Sequence, residues 1–153
     1  LGKCPVVPKP GRLPRHGIQA PGHLGPRLRP ADALELPVAL LEGCADPYAH
    51  KTGLASMGAV FRSPVIQTTW TEAAQALGKA KIEIGVTALS EKARDLRQAP
   101  LSQMAVVIGS EGQGVRKEIL EAAQNELIIP MNPRCESLNA AVAATIVMWQ
   151  MKQ

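Results

Sequence analysis

A glycine-rich segment, IGSEGQGV at residues 108–115, follows the most apolar stretch of the chain and precedes an amphipathic one. It is predicted to lie at a strand-to-helix junction, where free backbone N–H groups gather and where ligands bind in open α/β sheets. Its spacing is not that of a dinucleotide-binding fingerprint, and it lacks the Gly-Lys-Ser/Thr ending of a phosphate loop. Glu111 inside it would repel a phosphate. The segment therefore indicates either a site for a ligand without phosphates or a plain glycine turn.

A second polar segment, IIPMNPRCESLNAA at residues 128–141, joins a predicted strand to the last predicted helix. Ser137 is the predicted N-cap of that helix, because a serine hydroxyl can accept hydrogen bonds from the first helical N–H groups. Asn139 would then lie in the first turn of an otherwise apolar helix, where a polar side chain is poorly placed. We therefore expect Asn139 to face a substrate or a neighbouring loop.

Two arginines follow a predicted turn in residues 20–34, APGHLGPRLRPADAL. Gly22 and Gly25 bracket the turn, and Arg27 and Arg29 come just after it. The guanidinium of Arg29 could hold a phosphate or polarise a sugar hydroxyl with its fixed fork of donors. The alternative is an ordinary charged surface, and the two interpretations have equal weight on these residues alone.

The elements that must position these segments alternate between strands and helices from residue 37 onward. Apolar runs predict strands, helical spacing of apolar residues predicts helices, and short connections join them. This pattern predicts an α/β domain with a mostly parallel sheet and helices on both faces. Thr71 or a neighbour is the predicted cap of one helix, and Pro26 and Pro30 disfavour a long helix after Gly25. The predicted strands are 37–42, 64–70, 81–89, 103–109 and 126–131, and the predicted helices are 50–61, 71–80, 90–98, 115–124 and 137–152.

The last predicted helix is apolar on all sides, which requires that both of its faces be buried. At about 15 residues it is too short to cross a bilayer. Burial within a single core would satisfy it, but a second subunit is the favoured cover in a domain of this size, so we expect a homodimer. One stripe contains Leu138, Ala141, Val142, Thr145, Ile146 and Trp149, and the other side contains Ala140, Ala144, Val147, Met148 and Met151.

The chain of 153 residues has the length of one domain, and its net charge of +4 is unevenly distributed. Residues 1–31 carry six basic side chains and no acidic one, whereas residues 32–153 carry 11 basic and 13 acidic side chains. Because prolines also concentrate near the start, residues 1–16 are predicted to form an extended basic arm and residues 17–153 the folded domain. Such an arm suits a polyanionic partner, although a solvated tail explains the charge equally well.

Composition argues against several classes of function. Four aromatic side chains are too few for the base-stacking surface that single-strand binders use. No apolar run is long enough to predict a membrane span, and no secretion signal follows the first residues. Three separated cysteines and three scattered histidines argue against a disulfide framework and a metal site. We therefore expect no metal, no membrane association and a reducing cytoplasm.

Taken together and in this order, the three segments resemble the motifs of the SpoU–TrmH family of RNA ribose 2′-O-methyltransferases, in the SPOUT superfamily. Residues 109–114 match the family's Gly-Ser-Glu-Gly-x-Gly motif, and residues 129–131 with 137–144 match its third motif. The stretch 45–65 is similar to the family's linking segment, and the resemblance covers about residues 17–152. The first motif is matched by Ala20-Pro21-Gly22-His23-Leu24-Gly25 followed by Arg29-Pro30-Ala31.

The resemblance implies an α/β fold with a C-terminal trefoil knot, a homodimer through the last helix, and S-adenosyl-L-methionine as cofactor. The implied reaction is methyl transfer to a ribose 2′-hydroxyl of transfer or ribosomal RNA. Because arginine stays protonated, Arg29 is expected to grip a phosphate or to stabilise the forming alkoxide. The implied catalytic residues are Arg29, Glu111, Ser137 and Asn139; the implied cofactor-binding residues are Gly109, Ile129, Met131 and Leu138; the expected RNA contacts are Arg12, Arg15, Arg27 and Arg29.

The first motif departs from the family pattern. Ala20 replaces aspartate, His23 replaces asparagine, and Pro30 replaces threonine directly after Arg29. An active methyltransferase is the first hypothesis, and a protein of the same fold that binds RNA without catalysis is the second. An unrelated nucleotide-binding α/β enzyme is the third, and it would need a phosphate site that the sequence does not show. Either the basic arm replaces the N-terminal RNA-binding domain that some family members carry, or the chain is a fragment.

Overall fold

A computed structural model of the chain describes residues 18–19, 25–42, 48, 57–62, 65–109 and 114–153. The predicted arm, residues 1–16, lies outside this part, as does most of the helix predicted over 50–61. The strands are β1 (Ile18–Gln19), β2 (Val38–Leu41), β3 (Val65–Thr68), β4 (Glu83–Thr87), β5 (Arg94–Asp95), β6 (Met104–Ile108) and β7 (Asn125–Ile128). The helices are α1 (Gly25–Ala33), α2 (Ala59–Arg62), α3 (Trp70–Lys79), α4 (Lys117–Ala122) and α5 (Ala140–Met151), with 3-10 turns at Leu96–Gln98 and Leu101–Gln103.

The described strands form one parallel sheet in the order β3-β2-β1-β6-β4-β7-β5. The chain begins in the middle with β1, moves outward to β3, and then places β4 and β5 on the other side. Later in the chain, β6 is inserted between β1 and β4, and β7 between β4 and β5. Because the strands are parallel, their carboxyl ends meet at one edge of the sheet. The predicted α/β class with a mostly parallel sheet is confirmed.

Alternate residues of the central strands enter two cores, one on each face of the sheet. In β6, Met104, Val106 and Ile108 lie in the first core, whereas Ala105 and Val107 lie in the second. All five are buried, which explains why the strand is a continuous apolar run. Side chains of α1 and α5 complete the first core, and side chains of α3 and α4 complete the second. The prediction of helices on both faces is therefore confirmed.

The start of α3 is fixed by a capping box. The Thr69 hydroxyl accepts a hydrogen bond from Glu72 N, and the Glu72 carboxylate accepts one from Thr69 N. The cap lies two residues before Thr71, within the neighbourhood that the sequence indicated.

The short polar helix predicted over residues 90–98 is wrong. This stretch forms β5 and then a 3-10 turn, because Asp95 Oδ1 accepts a hydrogen bond from Arg97 N at 2.9 Å and starts the tighter turn. The partner of β5 is β7, where Arg94 pairs with Leu127. A strand pairing this distant in sequence leaves no local signal.

Two prolines do not prevent α1 from extending over nine residues. Pro26 lies in the first turn, where a missing N–H costs no helical hydrogen bond, so Pro30 alone removes one. Leu28 and Ala31 are fully buried, and their burial offsets that loss.

The last helix begins at Ala140, and its N-cap is Asn139 rather than Ser137. Asn139 Oδ1 accepts hydrogen bonds from Ala141 N at 2.9 Å and from Val142 N at 3.3 Å. The prediction of Ser137 as the cap is wrong, because the amide oxygen two residues later satisfies those donors. Capping also accounts for a polar residue at the start of an apolar helix.

The two apolar sides of α5 have different surroundings. The side formed by Ala140, Ala144, Val147, Met148 and Met151 is buried. On the other side, Val142, Ile146 and Trp149 are exposed, Trp149 to 59%. Within the described ranges, no helix has both the length and the apolar run needed to cross a bilayer.

Candidate functional site

Three segments that follow β4, β6 and β7 meet at the carboxyl edge of the sheet. β4 lies between β6 and β7, so its end at Thr87 is flanked by the segments that begin at Gly109 and Ile129. Ala88 N donates to Leu127 O at 3.0 Å, which extends the strand register toward this edge. Neighbouring strands lie about 4.8 Å apart, which places these backbones side by side. Ligands of open α/β sheets bind at such an edge.

Gly109 and Gly114 of the glycine segment lie close together at the end of β6. A Cβ on Gly109 would lie 2.5 Å from the carbonyl carbon of Gly114 and 2.8 Å from its Cα and its oxygen, so only glycine fits there. Gly114 has a φ of +68°, which glycine adopts without steric cost. The two glycines therefore bring the ends of the segment together. Glu111, between them, lies outside the described residues.

The second polar segment has partly buried side chains near its two ends and exposed ones between them. Ile129, Met131 and Leu138 are partly buried, and Ile129 packs against the first core. Residues 132–137 are exposed, and Ser137 among them lies two residues before the cap of α5. The segment thus offers partly buried apolar side chains on either side of an exposed stretch.

Arg29 lies exposed on α1, whose Leu28 and Ala31 are fully buried. One turn further, Asp32 accepts hydrogen bonds from Arg62 of α2, at 2.8 Å from Nη2 and 3.0 Å from Nε. This ion pair ties α1 to α2. Because α1 and α5 share the first core, Arg29 lies on the same face of the sheet as the start of α5. Among the described residues, no hydrogen bond joins Arg29 to the third motif.

Several predicted site residues fall outside the described part of the chain. Arg12, Arg15 and Glu111 are not described, and of Arg27 only the helical backbone is. Two of the three cysteines and all three histidines are also outside it. The described residues contain no cluster of His, Cys, Asp or Glu that could hold a metal ion. The absence of a metal site stays a prediction.

An ion pair that the sequence did not predict lies beside the glycine segment. Glu42 directly follows β2 and accepts hydrogen bonds from Arg116 Nη1 at 3.1 Å and from Trp70 N at 2.8 Å. Burial alone would raise the pKa of Glu42, but hydrogen bonds from its own N–H, from Arg116 and from Trp70 N lower that pKa overall. The available signals were an acid directly after a buried strand and a base two residues after Gly114.

No residue at the end of β4 was predicted from the sequence to belong to the site. Leu89 is 68% exposed, and it follows the strand that lies between β6 and β7. Its place at the site could have been predicted, because the carboxyl ends of all parallel strands share one edge of the sheet.

The chemistry of this edge favours a ligand without phosphates. The segments that follow β4, β6 and β7 begin there, and they contain the apolar residues Leu89, Ile129, Met131 and Leu138. Residues 109–114 contain no lysine or arginine that could neutralise a phosphate.

Comparison with known proteins identifies the family. Residues 13–149 match the SpoU rRNA methylase family. A curated relative, the 23S rRNA (guanosine(2553)-2′-O)-methyltransferase RlmP of Bacillus subtilis (strain 168), is 34% identical over 137 residues, which cover 88% of this chain and 55% of the relative.

Solved structures of similar proteins share this fold. The crystal structure of an RNA 2′-O ribose methyltransferase is 28% identical, with a TM-score of 0.79, over 91% of this chain and 56% of that one. An AdoMet-bound rRNA methyltransferase from Sinorhizobium meliloti is 25% identical, with a TM-score of 0.77, over 90% and 55% of the two chains. The chain spans about half the length of the curated relatives it matches. Because the family match includes all three motifs, the chain belongs to the SpoU rRNA methylase family.

Proposed function

We propose that this chain is the methyltransferase domain of an enzyme that methylates a ribose 2′-hydroxyl of ribosomal or transfer RNA. The observation that carries the proposal is the close contact of Gly109 and Gly114 at the carboxyl edge, beside the end of β4. This contact lies in the segment that matches the family's glycine motif. The Bacillus subtilis relative is named as an rRNA 2′-O-methyltransferase, which supports the same reaction here.

The cofactor that we propose is S-adenosyl-L-methionine, which supplies a methyl group on a positively charged sulfur. It carries no phosphate, which agrees with a glycine segment that has no basic side chain. We assign Gly109, Ile129, Met131 and Leu138 to its site, where backbone groups would fix its orientation and partly buried apolar side chains would pack on it. The similar structure from Sinorhizobium meliloti is described as bound to AdoMet.

The proposed catalytic residues are Arg29, Glu111, Ser137 and Asn139. A ribose hydroxyl is a poor nucleophile at neutral pH, so positioning and charge stabilisation must supply much of the rate. Arg29 stays protonated, and its exposure on α1 allows it to reach RNA. We infer that it stabilises negative charge on the attacking oxygen or holds the adjacent phosphate.

RNA would also contact the basic arm. We propose that residues 1–16 form an arm ahead of the folded domain, and that Arg12, Arg15 and Arg27 bind the RNA backbone together with Arg29. Each phosphate contact of this kind weakens as salt concentration rises. The cytoplasmic location expected from the cysteines stays a prediction.

A homodimer is proposed on the exposed side of α5. Val142, Ile146 and Trp149 form an apolar stripe on the most apolar helix of the described chain. A second copy packed on this stripe would remove it from water, which is the usual reason for such a surface.

The order of the strands supports the C-terminal knot that the family resemblance implies. β7 lies between β4 and β5, although β4 and β5 are consecutive in the chain. Residues 88–103 therefore pass around a strand that comes later in the sequence. α5 then packs in the first core with Leu96 and Leu101, which belong to that same stretch. We propose that the chain after β7 is threaded through this loop.

The test of the function is transfer of labelled methyl groups from S-adenosyl-L-methionine to ribosomal and transfer RNA. We expect Arg29→Ala to lower the rate about 100-fold or more, as removal of a donor to a developing oxyanion does. The affinity for the cofactor, measured by titration calorimetry, should change little. Arg97→Ala is the matched control, because Arg97 is also exposed and, among the described residues, pairs with the nearby Asp95 alone.

Three results would contradict parts of this proposal. An unchanged rate in Arg29→Ala would remove Arg29 from the catalytic set. Cofactor binding without methyl transfer by the wild type would favour the second candidate, RNA binding without catalysis, which His23 and Pro30 in the first motif would explain. No cofactor binding by the folded chain would overturn the proposal itself.

A further inference from the structure

One ion pair connects β2 to the glycine segment across the end of β1. In the sheet, β1 separates β2 from β6. Glu42, at the end of β2, and Arg116, two residues after Gly114, meet at 3.1 Å between Oε1 and Nη1. The contact joins residues 74 positions apart in the chain. It therefore ties the residue that follows the glycine segment to the end of a strand that is not a neighbour of β6.

The carboxylate of Glu42 is itself held in place by α3. Its Oε2 accepts a hydrogen bond from Trp70 N, at the first residue of that helix, at 2.8 Å. Trp70 is buried in the second core, which also contains Val115, the residue before Arg116. The core thus fixes the position of Glu42, and the ion pair with Glu42 in turn fixes the position of Arg116.

The guanidinium of Arg116 makes its described contacts through one nitrogen. Its Nε and Nη2 are buried, and no hydrogen-bond acceptor for them exists in the described part of the chain. In Arg62 and Arg97 the same Nε and Nη2 edge holds a carboxylate. Among the described residues, Nη1 alone holds the guanidinium of Arg116, through Glu42 and Glu118.

A movement of Arg116 would directly disturb the proposed cofactor site. Gly114 lies two residues before Arg116, and its backbone is in contact with Gly109. Loss of the ion pair frees the start of α4, and with it Gly114, from the end of β2.

We propose that Glu42 and Arg116 are positioning residues that hold Gly114 against Gly109 in the geometry that binds the cofactor. The identity of the ligand in this inference rests on the proposed function. The positioning of Gly114 rests on the contacts described above. Neither side chain is placed at the reacting atoms. The ion pair therefore acts on the affinity for the cofactor and not on the methyl-transfer step.

The test compares Glu42→Gln with Glu118→Gln. Glutamine keeps the shape of Glu42 and an oxygen for Trp70 N, but it removes the charge that faces Arg116. Glu118 is the matched control, because its Oε1 lies 3.3 Å from the same Nη1 but it belongs to α4 and makes no connection to β2. The two measurements are amide hydrogen exchange at residues 109 and 114–116 without cofactor, and the Kd for S-adenosyl-L-methionine by titration calorimetry.

We expect faster exchange in Glu42→Gln and wild-type exchange in Glu118→Gln. If the binding geometry falls to about a tenth of the population, the Kd rises about tenfold. The rate at saturating cofactor should stay at the wild-type value.

The outcomes separate this inference from the function on which it rests. Wild-type exchange and Kd in Glu42→Gln would overturn it, and so would equal losses in both variants or a lower rate at saturating cofactor. If exchange is faster in Glu42→Gln but the wild type binds no cofactor, the positioning of Gly114 by the ion pair would be supported and the proposed function would be overturned.

Discussion

At the scale of single residues, the contact between Gly109 and Gly114 sets the strictest steric requirement in the site. Gly109→Ala would place a carbon 2.5 Å from the carbonyl carbon of Gly114, so the backbone would have to shift. We expect a loss of about 1–3 kcal/mol in the free energy of unfolding, as in other overpacked sites. Cofactor affinity should fall about tenfold or more, which corresponds to about 1.4 kcal/mol.

A second glycine provides the control for this substitution. Gly78 lies near the end of α3, and a Cβ built there has no atom within 4 Å. Gly78→Ala should raise the free energy of unfolding by about 0.5–1 kcal/mol, because alanine favours the helix. Urea unfolding and titration calorimetry measure both variants. Wild-type cofactor binding by Gly109→Ala would contradict the assignment of the site.

The ionisation of Glu42 makes a further prediction at this scale. Its pKa is lowered from 4.5 in the folded chain, so its charge stabilises the fold above that value. As pH falls through the folded-state pKa, the carboxyl becomes protonated and the contribution is lost. The difference in unfolding free energy between the wild type and Glu42→Gln should be constant from roughly pH 5 to pH 8 and disappear in more acidic solution. A difference that persists unchanged in acid would show that the charge is not its cause.

At the scale of elements, Asn139 and Ser137 near the start of α5 are expected to contribute differently to stability. Asn139→Ala removes the cap and should lower the free energy of unfolding by about 1 kcal/mol. Ser137→Ala should change it by less than about 0.5 kcal/mol, because Ser137 is exposed and outside the helix. Asn139→Ser keeps a capping oxygen, so it should recover stability without recovering methyl transfer. Denaturant unfolding that ranks Ser137→Ala as the more costly change would refute this cap.

Some of the elements and contacts could be predicted from the sequence, and others could not. β2 and β6 are continuous apolar runs, and the glycine segment marks the end of β6, so local pattern sufficed for these. The stretch 90–98 was assigned wrongly because β5 forms only by pairing with β7. The ion pair between Glu42 and Arg116 was missed for a similar reason, since it depends on a strand order that no local window contains.

At the scale of the whole molecule, the exposed side of α5 predicts how copies of the chain associate. Trp149→Lys replaces the aromatic residue of the stripe with a charge and should raise the dimer dissociation constant about 30-fold or more, as loss of an aromatic anchor does. Gln75→Lys, at an exposed position of α3 on the other face of the sheet, should leave it unchanged. Sedimentation at micromolar concentration measures both, and a monomeric wild type would refute the dimer.

The late insertion of β6 also determines when the sheet can form during synthesis. Ile18 pairs with Val107, about 90 residues later, and β4 pairs with the same strand. Until residue 108 has left the ribosome, β1 and β4 both have an open edge in the middle of the future sheet. Open edges attract other chains, and pairings this distant in sequence form slowly. The nascent protein therefore cannot complete this sheet before β6 has been made, and a prematurely terminated chain that ends before β6 is prone to aggregate.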